Sequence, residues 1–254
     1  MDSMTSGQWT AILVMGGIFL ICFAAFIGII RRNYHRYRMV ADTATSKIRS
    51  APQGYVELIG KAIACSGETY QRAPFSDLAC LWFLVEKERK VVTKDKDGKE
   101  TVEWRTEFSR SSDTPFLLED DTGCCKVEPY GADVTPAIFR RVSSTYDSIS
   151  SSEILAGRSV GYDHRYRYSE SLIVADDPLY ALGEFKTFAD KRSGEQYHSM
   201  VKPEYREQPF VISSKGETKL LKSYLKRIWL NCFGLLLFAA LFAMVIFIAT
   251  HPGP

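Results

Sequence analysis

Two uncharged apolar runs decide the fold: residues 11–30, AILVMGGIFLICFAAFIGII, and residues 228–249, IWLNCFGLLLFAALFAMVIFIA. A helix rises about 1.5 Å per residue, so it needs about 20 apolar residues to cross the hydrocarbon of a bilayer. Both runs reach that length, and neither has the polar stripe of a surface helix in a soluble domain. We therefore predict two transmembrane helices, with the lipid bilayer as their partner.

The charges beside these runs predict their orientation. All 32 Lys and Arg residues lie within residues 31–227, from Arg31 to Arg227. Basic residues near a membrane span stay on the cytoplasmic side, and the tails 1–10 and 250–254 have none. We predict an integral membrane protein with both termini exterior and residues 31–227 cytoplasmic. Because the basic residues follow the first run, we expect a retained anchor and not a cleaved signal peptide.

The segment between the runs has the composition of a folded domain. It contains 29 of the 30 Asp and Glu residues, which nearly balance its basic residues. A near-neutral segment argues against a nucleic-acid partner, since such modules are usually clearly basic. The chain is 46% apolar and 13% aromatic, and this composition argues against disorder.

Patterns typical of strands dominate this segment. Residues 81–92 are rich in β-branched and aromatic residues, residues 101–110 alternate in polarity, and Asp97-Gly98 between them is a hairpin-turn signal. Further strands are predicted at 54–64, 166–174 and 179–188, with a hairpin at 115–131. Short strands separated by Gly, Pro and Asp predict a mainly β domain, a barrel or a sandwich, inserted between the two transmembrane helices.

These patterns divide the chain into segments. A Ser-rich loop at 143–157 can start a short helix, and Ser214 with Glu217 has capping-box spacing. The predicted boundaries are: exterior tail 1–10, transmembrane helix 11–30, basic juxtamembrane linker or helical continuation 31–50, β domain 51–212, juxtamembrane helix 213–227, transmembrane helix 228–249 and exterior tail 250–254.

Small residues four apart occur in both apolar runs. They are Ala24 and Gly28 in the first run, and Ala239 and Ala243 in the second. Small-xxx-small faces let the backbones of membrane helices approach closely. We predict that the helices pair through these residues, within one chain or between chains. We also expect the protein to self-associate.

The cysteines and histidines form no zinc-ligand pairs such as C-x₂-C. The adjacent Cys124 and Cys125 should point to opposite faces of a strand. Cys/His catalysis would need a histidine beside Cys80 or Cys124, and nothing in the sequence fixes one there. We therefore predict no catalytic residue, no cofactor and no metal site.

Asp121-Thr122-Gly123 is the catalytic triplet of aspartic peptidases. In this chain it follows Glu119-Asp120, where those peptidases have apolar strand residues. We interpret the triplet as a turn that Gly123 permits and Asp121 caps.

Several sequence blocks taken together resemble a known family. In chain order they are PQGYVELIG, APFSDLACLWF, PFLLEDDTG, VEPYG and YRYSESLIVADDPLYALGEF. They resemble the GIDE-type, or beside-a-membrane, domain of the Mulan family of mitochondrial ubiquitin ligases and of its prokaryotic relatives. We expect structural roles for these motif residues: Gly54, Gly60, Cys80, Trp82, Asp121, Gly123, Pro129, Tyr168, Pro178 and Gly183.

The resemblance implies a β-rich domain held between two membrane helices. In the eukaryotic ligases a RING domain follows the second span and transfers ubiquitin. Residues 250–254 are too short to form one, so we expect a member of the prokaryotic branch, in the inner (plasma) membrane, without a RING.

The function expected from these observations is a non-catalytic binding or assembly module. It would be cytoplasmic, anchored by two spans and oligomeric, with an unknown protein or small molecule as partner. One alternative is a ubiquitin-transferase-like protein of the E3 family that acts with a partner. Another is a ligand-gated effector that disturbs the membrane.

Overall fold

The computed structural model describes residues 6–65, 70–96, 98–189 and 196–250. The helices are α1 (Ser6–Asp42), α2 (Ser151–Ala156) and α3 (Glu217–Thr250). The strands are β1 (Thr45–Ser46), β2 (Gly54–Ile63), β3 (Gln71–Arg72), β4 (Ala79–Cys80), β5 (Trp82–Lys94), β6 (Glu100–Ser111), β7 (Phe116–Glu119), β8 (Cys124–Val127), β9 (Asp133–Thr135), β10 (Ile138–Ser144), β11 (Tyr166–Ile173), β12 (Pro178–Ala189), β13 (Gln196–Val201) and β14 (Val211–Ser213).

The chain divides into two compact units: the long helices form one, and residues 43–217 form the other. In α1 the segment Val14–Asp42, and in α3 the segment Glu217–Phe247, is long and apolar enough to cross a membrane. The most apolar window of each helix has no buried residue. Two membrane-capable helices around a mainly β domain are therefore confirmed.

Five strands of the β unit close into a barrel. The order around it is β2-β7-β8-β13-β12, and β12 pairs with β2 to complete the ring. Only the pairing of β8 with β13 is parallel; the other four are antiparallel. Numbered along the chain, these strands follow the order 1-2-3-5-4, which is the Greek-key arrangement of an OB-fold barrel. Of the two predicted architectures, the barrel is the one observed.

Every second side chain along the strands points inward and fills the barrel. Phe116 and Leu118 of β7 are buried, as are Cys125 and Val127 of β8. The residues between them point to the opposite face, because successive side chains of a strand alternate. The buried side chains belong to one apolar cluster that also includes Phe185 of β12.

Two long connections of the barrel build a second sheet. The connection from β2 to β7 contributes β5 and β6, and the connection from β8 to β12 contributes β10 and β11. These strands form an antiparallel sheet in the order β10-β11-β5-β6. The predicted β5–β6 hairpin is confirmed; Gly98 lies in its turn, and Asp97 lies outside the described residues.

The predicted capping box is wrong in its position. The helix α3 begins at Glu217, so Ser214 lies too far before it to be the N-cap. The hydroxyl of Ser214 is buried without a hydrogen-bond partner among the described residues. A capping box instead starts α2, where Ser150 and Glu153 bond each other's backbone N–H.

Candidate functional site

Two glycines of the motif blocks lie where no side chain has room. A Cβ at Gly60 would be 2.1 Å from the backbone oxygen of Glu119 on β7, and one at Gly183 would be 2.7 Å from the ring of Phe210. Glycine is therefore required for barrel closure at Gly60 and for core packing at Gly183.

The other motif residues lie in the core, in turns or at strand ends. Cys80, Trp82 and Tyr168 are buried, and burial followed by the nearby Glu170 charge raises the pKa of Cys80 to about 11. Such a thiol is protonated at neutral pH and is a poor nucleophile. Gly54 and Pro178 each begin a strand, and Pro129 lies in the loop after β8.

The 120–123 turn uses a different carboxylate from the one that the sequence indicated. Oδ1 of Asp120 accepts hydrogen bonds from Thr122 N at 2.7 Å and Gly123 N at 3.0 Å, and Oδ2 accepts from Ile48 N at 2.9 Å. Burial alone would raise the pKa of Asp120, but the Thr122 hydroxyl, which donates to Oδ1 at 2.6 Å, and these backbone bonds hold it below its ordinary value. Asp121, predicted to cap the turn, forms an exposed ion pair with Lys47 instead. The geometry is that of a structural turn.

A groove on the outside of the barrel brings separate parts of the chain together. We call it the barrel-face groove, and its volume is about 460 Å³. It lies over the second and third barrel strands and the start of the fifth, next to the connection that follows the first. That is the face on which OB-fold barrels bind ligands. Its lining residues are Cys65, Leu117, Cys124, Lys126, Gln196, Tyr197 and His198.

One wall of the groove is aromatic and basic. Tyr197 of β13 stacks on Phe188 of β12, with ring centroids 5.6 Å apart. The ammonium of Lys126 lies 5.8 Å from the centroid of the Tyr197 ring. Tyr197 is 41% exposed, so much of this wall is open to solvent. A flat apolar surface beside a single cation suits a ligand that has a planar or apolar part and a negative charge.

The imidazole of His198 is held in place from two sides. Its ring stacks on Phe185 at a centroid distance of 5.1 Å, and its Nδ1 is 3.1 Å from Oγ1 of Thr187. Thr187 is fixed in turn by Gln53, whose Nε2 donates to Oγ1 at 2.6 Å and whose Oε1 accepts from Thr187 N at 3.1 Å. The ring therefore lies on the core-facing side of β13, opposite to the side chain of Tyr197, and supports the strand that forms the groove wall.

Cys124 and His198 both line the groove, but the His198 ring packs on Phe185 on the opposite face of the sheet, and the electrostatics disfavour a nucleophilic thiolate at Cys124. Burial, followed by the adjacent Glu119 carboxylate, raises the pKa of Cys124. Its sulfur lies 3.8 Å from Oε1 of Glu119. Activated cysteines instead lie beside cations or at helix N-termini. The arrangement supports binding better than covalent catalysis.

Volume alone does not select this groove, because three other grooves of the β unit measure about 420–500 Å³. This groove is selected by its position on the barrel and by its mixture of aromatic, thiol and ammonium groups. Sequence reasoning missed it because the parallel pairing of β8 with β13 joins segments about 70 residues apart. A basic residue between alternating core residues, such as Lys126, was the available signal.

Among the described residues, no group of three or more His, Cys, Asp or Glu side chains could hold a metal.

The two long helices contact each other through aromatic rings. Phe19 of α1 stacks on Phe242 and Phe238 of α3, at centroid distances of 4.0 and 5.2 Å. An added Cβ at Gly28 would meet no atom within 4 Å. The pairing predicted through Ala24, Gly28, Ala239 and Ala243, within one chain or between chains, therefore stays a prediction.

Residues 85–245 match a family model, GIDE, whose description is E3 ubiquitin ligase. The matched range contains most of the barrel, including β7, β8, β12 and β13, and much of α3. Gly54, Gly60, Cys80 and Trp82 precede it. No curated protein and no solved structure gives a significant match.

Proposed function

The chain belongs to the GIDE family, and from that premise we propose that it is a membrane-anchored binding module. In this proposal the two apolar helices span the bilayer, and the β unit binds its ligand in the barrel-face groove without transforming it. The observation that carries the proposal is this groove, which lies on the ligand-binding face of an OB-fold barrel and combines the exposed Tyr197 ring with the Lys126 ammonium.

The chemistry of the groove defines the ligand class. Leu117 and Tyr197 offer apolar contact, and Lys126 offers one positive charge. A polyanion such as a nucleic acid usually needs several cations, because each neutralised phosphate adds to the affinity. We therefore propose a small organic anion with a planar or apolar body as the ligand.

Native mass spectrometry of the full chain in polymer nanodiscs tests this proposal. We expect the wild-type chain to carry a bound small molecule that Lys126→Glu loses, because the substitution reverses the only cation among the groove residues described. Phe139→Lys changes an exposed residue on the four-stranded sheet and is the matched control, so it should retain the ligand. Absence of any bound molecule, or its retention in Lys126→Glu, would contradict the proposal.

The proposed location is the inner (plasma) membrane of a prokaryote, with residues 31–227 in the cytoplasm and both termini outside. The distribution of basic residues beside the two helices supports this orientation. Epitope tags at each end, tested for protease access in intact cells, measure it. Protection of both tags would contradict it.

The family description favours a second candidate, a part in ubiquitin transfer together with a partner protein that carries the transferase chemistry. The experiment combines the purified chain with a ubiquitin-activating enzyme, a conjugating enzyme and a RING-type partner. Ubiquitin transfer that depends on the chain would favour this candidate over the simple binding module.

A further inference from the structure

The edge strand β6 is unusually long and open. It has 12 residues, and all of them except the half-buried Trp104 are exposed. In the four-stranded sheet it pairs only with β5, so its outer backbone edge faces no strand among the described residues. Such an edge is a template for pairing with another chain, and proteins usually shorten, cover or charge it.

A β-bulge limits the part of β6 that can accept a strand. Lys87 of β5 pairs with Phe108, and Glu88 pairs with Thr106, so Glu107 is the extra residue. Its carboxylate turns to Lys87 at 3.1 Å and to Arg89 at 3.6 Å. Bulges interrupt the ladder and bend the strand, so the regular edge consists of residues 100–106.

The sequence of this regular edge is complementary to itself. If two copies pair antiparallel about a twofold axis at Trp104, Glu103 of each copy lies opposite Arg105 of the other. Trp104 then faces its own counterpart, and Val102 faces Thr106. Aromatic pairs and opposite charges are the favourable cross-strand combinations. A twofold axis also gives the symmetry of most homodimers.

The neighbouring registers are unfavourable. An axis at Glu103 or at Arg105 places like charges directly opposite each other. An axis at Val102 leaves the charged residues without charged partners, and an axis at Thr106 runs into the bulge at Glu107. Next to an unrelated strand, Glu103 and Arg105 would have only each other, at 3.4 Å on their own strand, whereas a second copy adds a cross-strand partner of opposite charge for each. These charges therefore favour the chain's own copy.

We propose that two copies of the chain associate through residues 100–106 of β6, in the antiparallel register centred on Trp104. The proposal names a surface for the self-association expected from the sequence, and it is independent of the ligand in the barrel-face groove. Trp104 itself is positioned from within its own sheet, because the guanidinium of Arg167 lies 3.9 Å from its ring centroid.

Disulfide cross-linking of the full chain in native membranes tests the register. In a Cys124→Ser background, Trp104→Cys should give a linked dimer on mild oxidation, because opposed Cα atoms lie about 4.5–5.5 Å apart, within disulfide reach. Val102→Cys and Thr106→Cys should link to each other when co-expressed and only poorly alone. Equal linking of all single variants, or none by Trp104→Cys, would overturn the proposal.

Exchanging the charges at residues 103 and 105 tests whether they select the chain's own copy. Sedimentation in detergent measures the oligomeric state of each variant. Glu103→Arg and Arg105→Glu should each shift the chain toward monomer, by about tenfold or more in dissociation constant, and the double variant should restore the dimer. Arg141→Glu on the opposite edge strand β10 is the control and should leave the dimer unchanged. A wild-type monomer, or a double variant that remains monomeric, would contradict the proposal.

Discussion

The barrel and the four-stranded sheet differ in whether they leave the edge of a strand unpaired. In the barrel, β12 returns to β2 and the ring of five strands has no outer edge. In the sheet, the 12 residues of β6 end the array with an open backbone. Closure leaves the barrel only its side chains for recognition, as in the barrel-face groove. The open sheet can also use its backbone, as in the proposed pairing through β6.

Each of these regions also buries one glutamate. Glu57 of β2 accepts hydrogen bonds from Tyr180 OH at 2.9 Å and Thr45 Oγ1 at 2.5 Å. Glu170 of β11 uses Oε1 for two backbone N–H groups, and its Oε2 is buried without a partner among the described residues. The barrel thus satisfies its carboxylate with side chains, whereas the sheet uses its carboxylate to fix the 75–76 loop.

The largest loss of stability should come from a substitution that prevents the barrel from closing. In Gly60→Ala the new Cβ would lie 2.1 Å from the backbone oxygen of Glu119, and backbone cannot move away without opening the β2–β7 pairing. We expect the free energy of unfolding to fall by about 3 kcal/mol or more. Thermal unfolding of the full chain in detergent, followed by circular dichroism, measures this loss.

Gly123→Ala is the matched control for closure. An added Cβ there would meet only the Ile48 side chain, at 3.8 Å, an ordinary contact, and the residue has no positive φ. We expect a change within about 0.5 kcal/mol. Equal losses in the two variants would show that close approach at Gly60 is not what closes the barrel.

The next effect tests the loop that the sheet's glutamate holds. Glu170→Leu removes the acceptor of Phe75 N and Ser76 N, each at 3.1 Å, and leaves these N–H groups unpaired. We expect a loss of about 2–3 kcal/mol in the same unfolding assay, because an unsatisfied buried group costs about 1–3 kcal/mol. Glu170→Gln keeps an acceptor oxygen and should lose clearly less; an equal loss would assign the effect to the charge.

Local sequence patterns predict much of the fold of these two regions. The remaining features depend on strand pairing between distant parts of the chain. The β5–β6 hairpin was readable because Asp97-Gly98 separates two strand-like runs, and the membrane-capable helices were readable from length and polarity. The barrel-face groove could not be read from the sequence, because Lys126 and His198 become neighbours only through the parallel β8–β13 pairing. The composition of residues 121–123 predicts a turn but does not identify its capping residue, which is Asp120 and not Asp121.

Tyr180→Phe tests the barrel's glutamate. Burial raises the pKa of Glu57 above its ordinary value of 4.5, and the bonds from Thr45 and Tyr180 partly oppose the shift. Without the Tyr180 hydroxyl, the charged carboxylate loses a donor. We expect a loss of about 2 kcal/mol at pH 7, in the range for hydrogen bonds to charged groups. Tyr130→Phe, at a residue 70% exposed, should change nothing.

The sign of the pH dependence follows from the raised pKa. A carboxyl group with a folded pKa above its unfolded value weakens the fold when ionised, so its penalty is full above the folded pKa and disappears below about 4.5. Tyr180→Phe raises the folded pKa further, so its deficit should shrink as the pH falls from 7 to 4. Unfolding midpoints across this range measure it. A deficit that stays constant would contradict an ionised Glu57 at neutral pH.

The smallest expected effect on stability comes from the adjacent cysteines 124 and 125. These two thiols also give the sharpest contrast between the outside and the inside of the barrel. Cys125 is fully buried, and burial raises its pKa to about 12, whereas Cys124 is exposed on the groove side. Iodoacetamide should therefore modify Cys124 and spare Cys125 in the folded chain, as mapped by peptide mass spectrometry. Burial is the main cause of the raised pKa of Cys124, and the Glu119 charge adds to it, so Glu119→Gln should speed that reaction and leave Cys125 unreactive. Rapid modification of Cys125 under native conditions would mean that β8 does not keep its alternating faces.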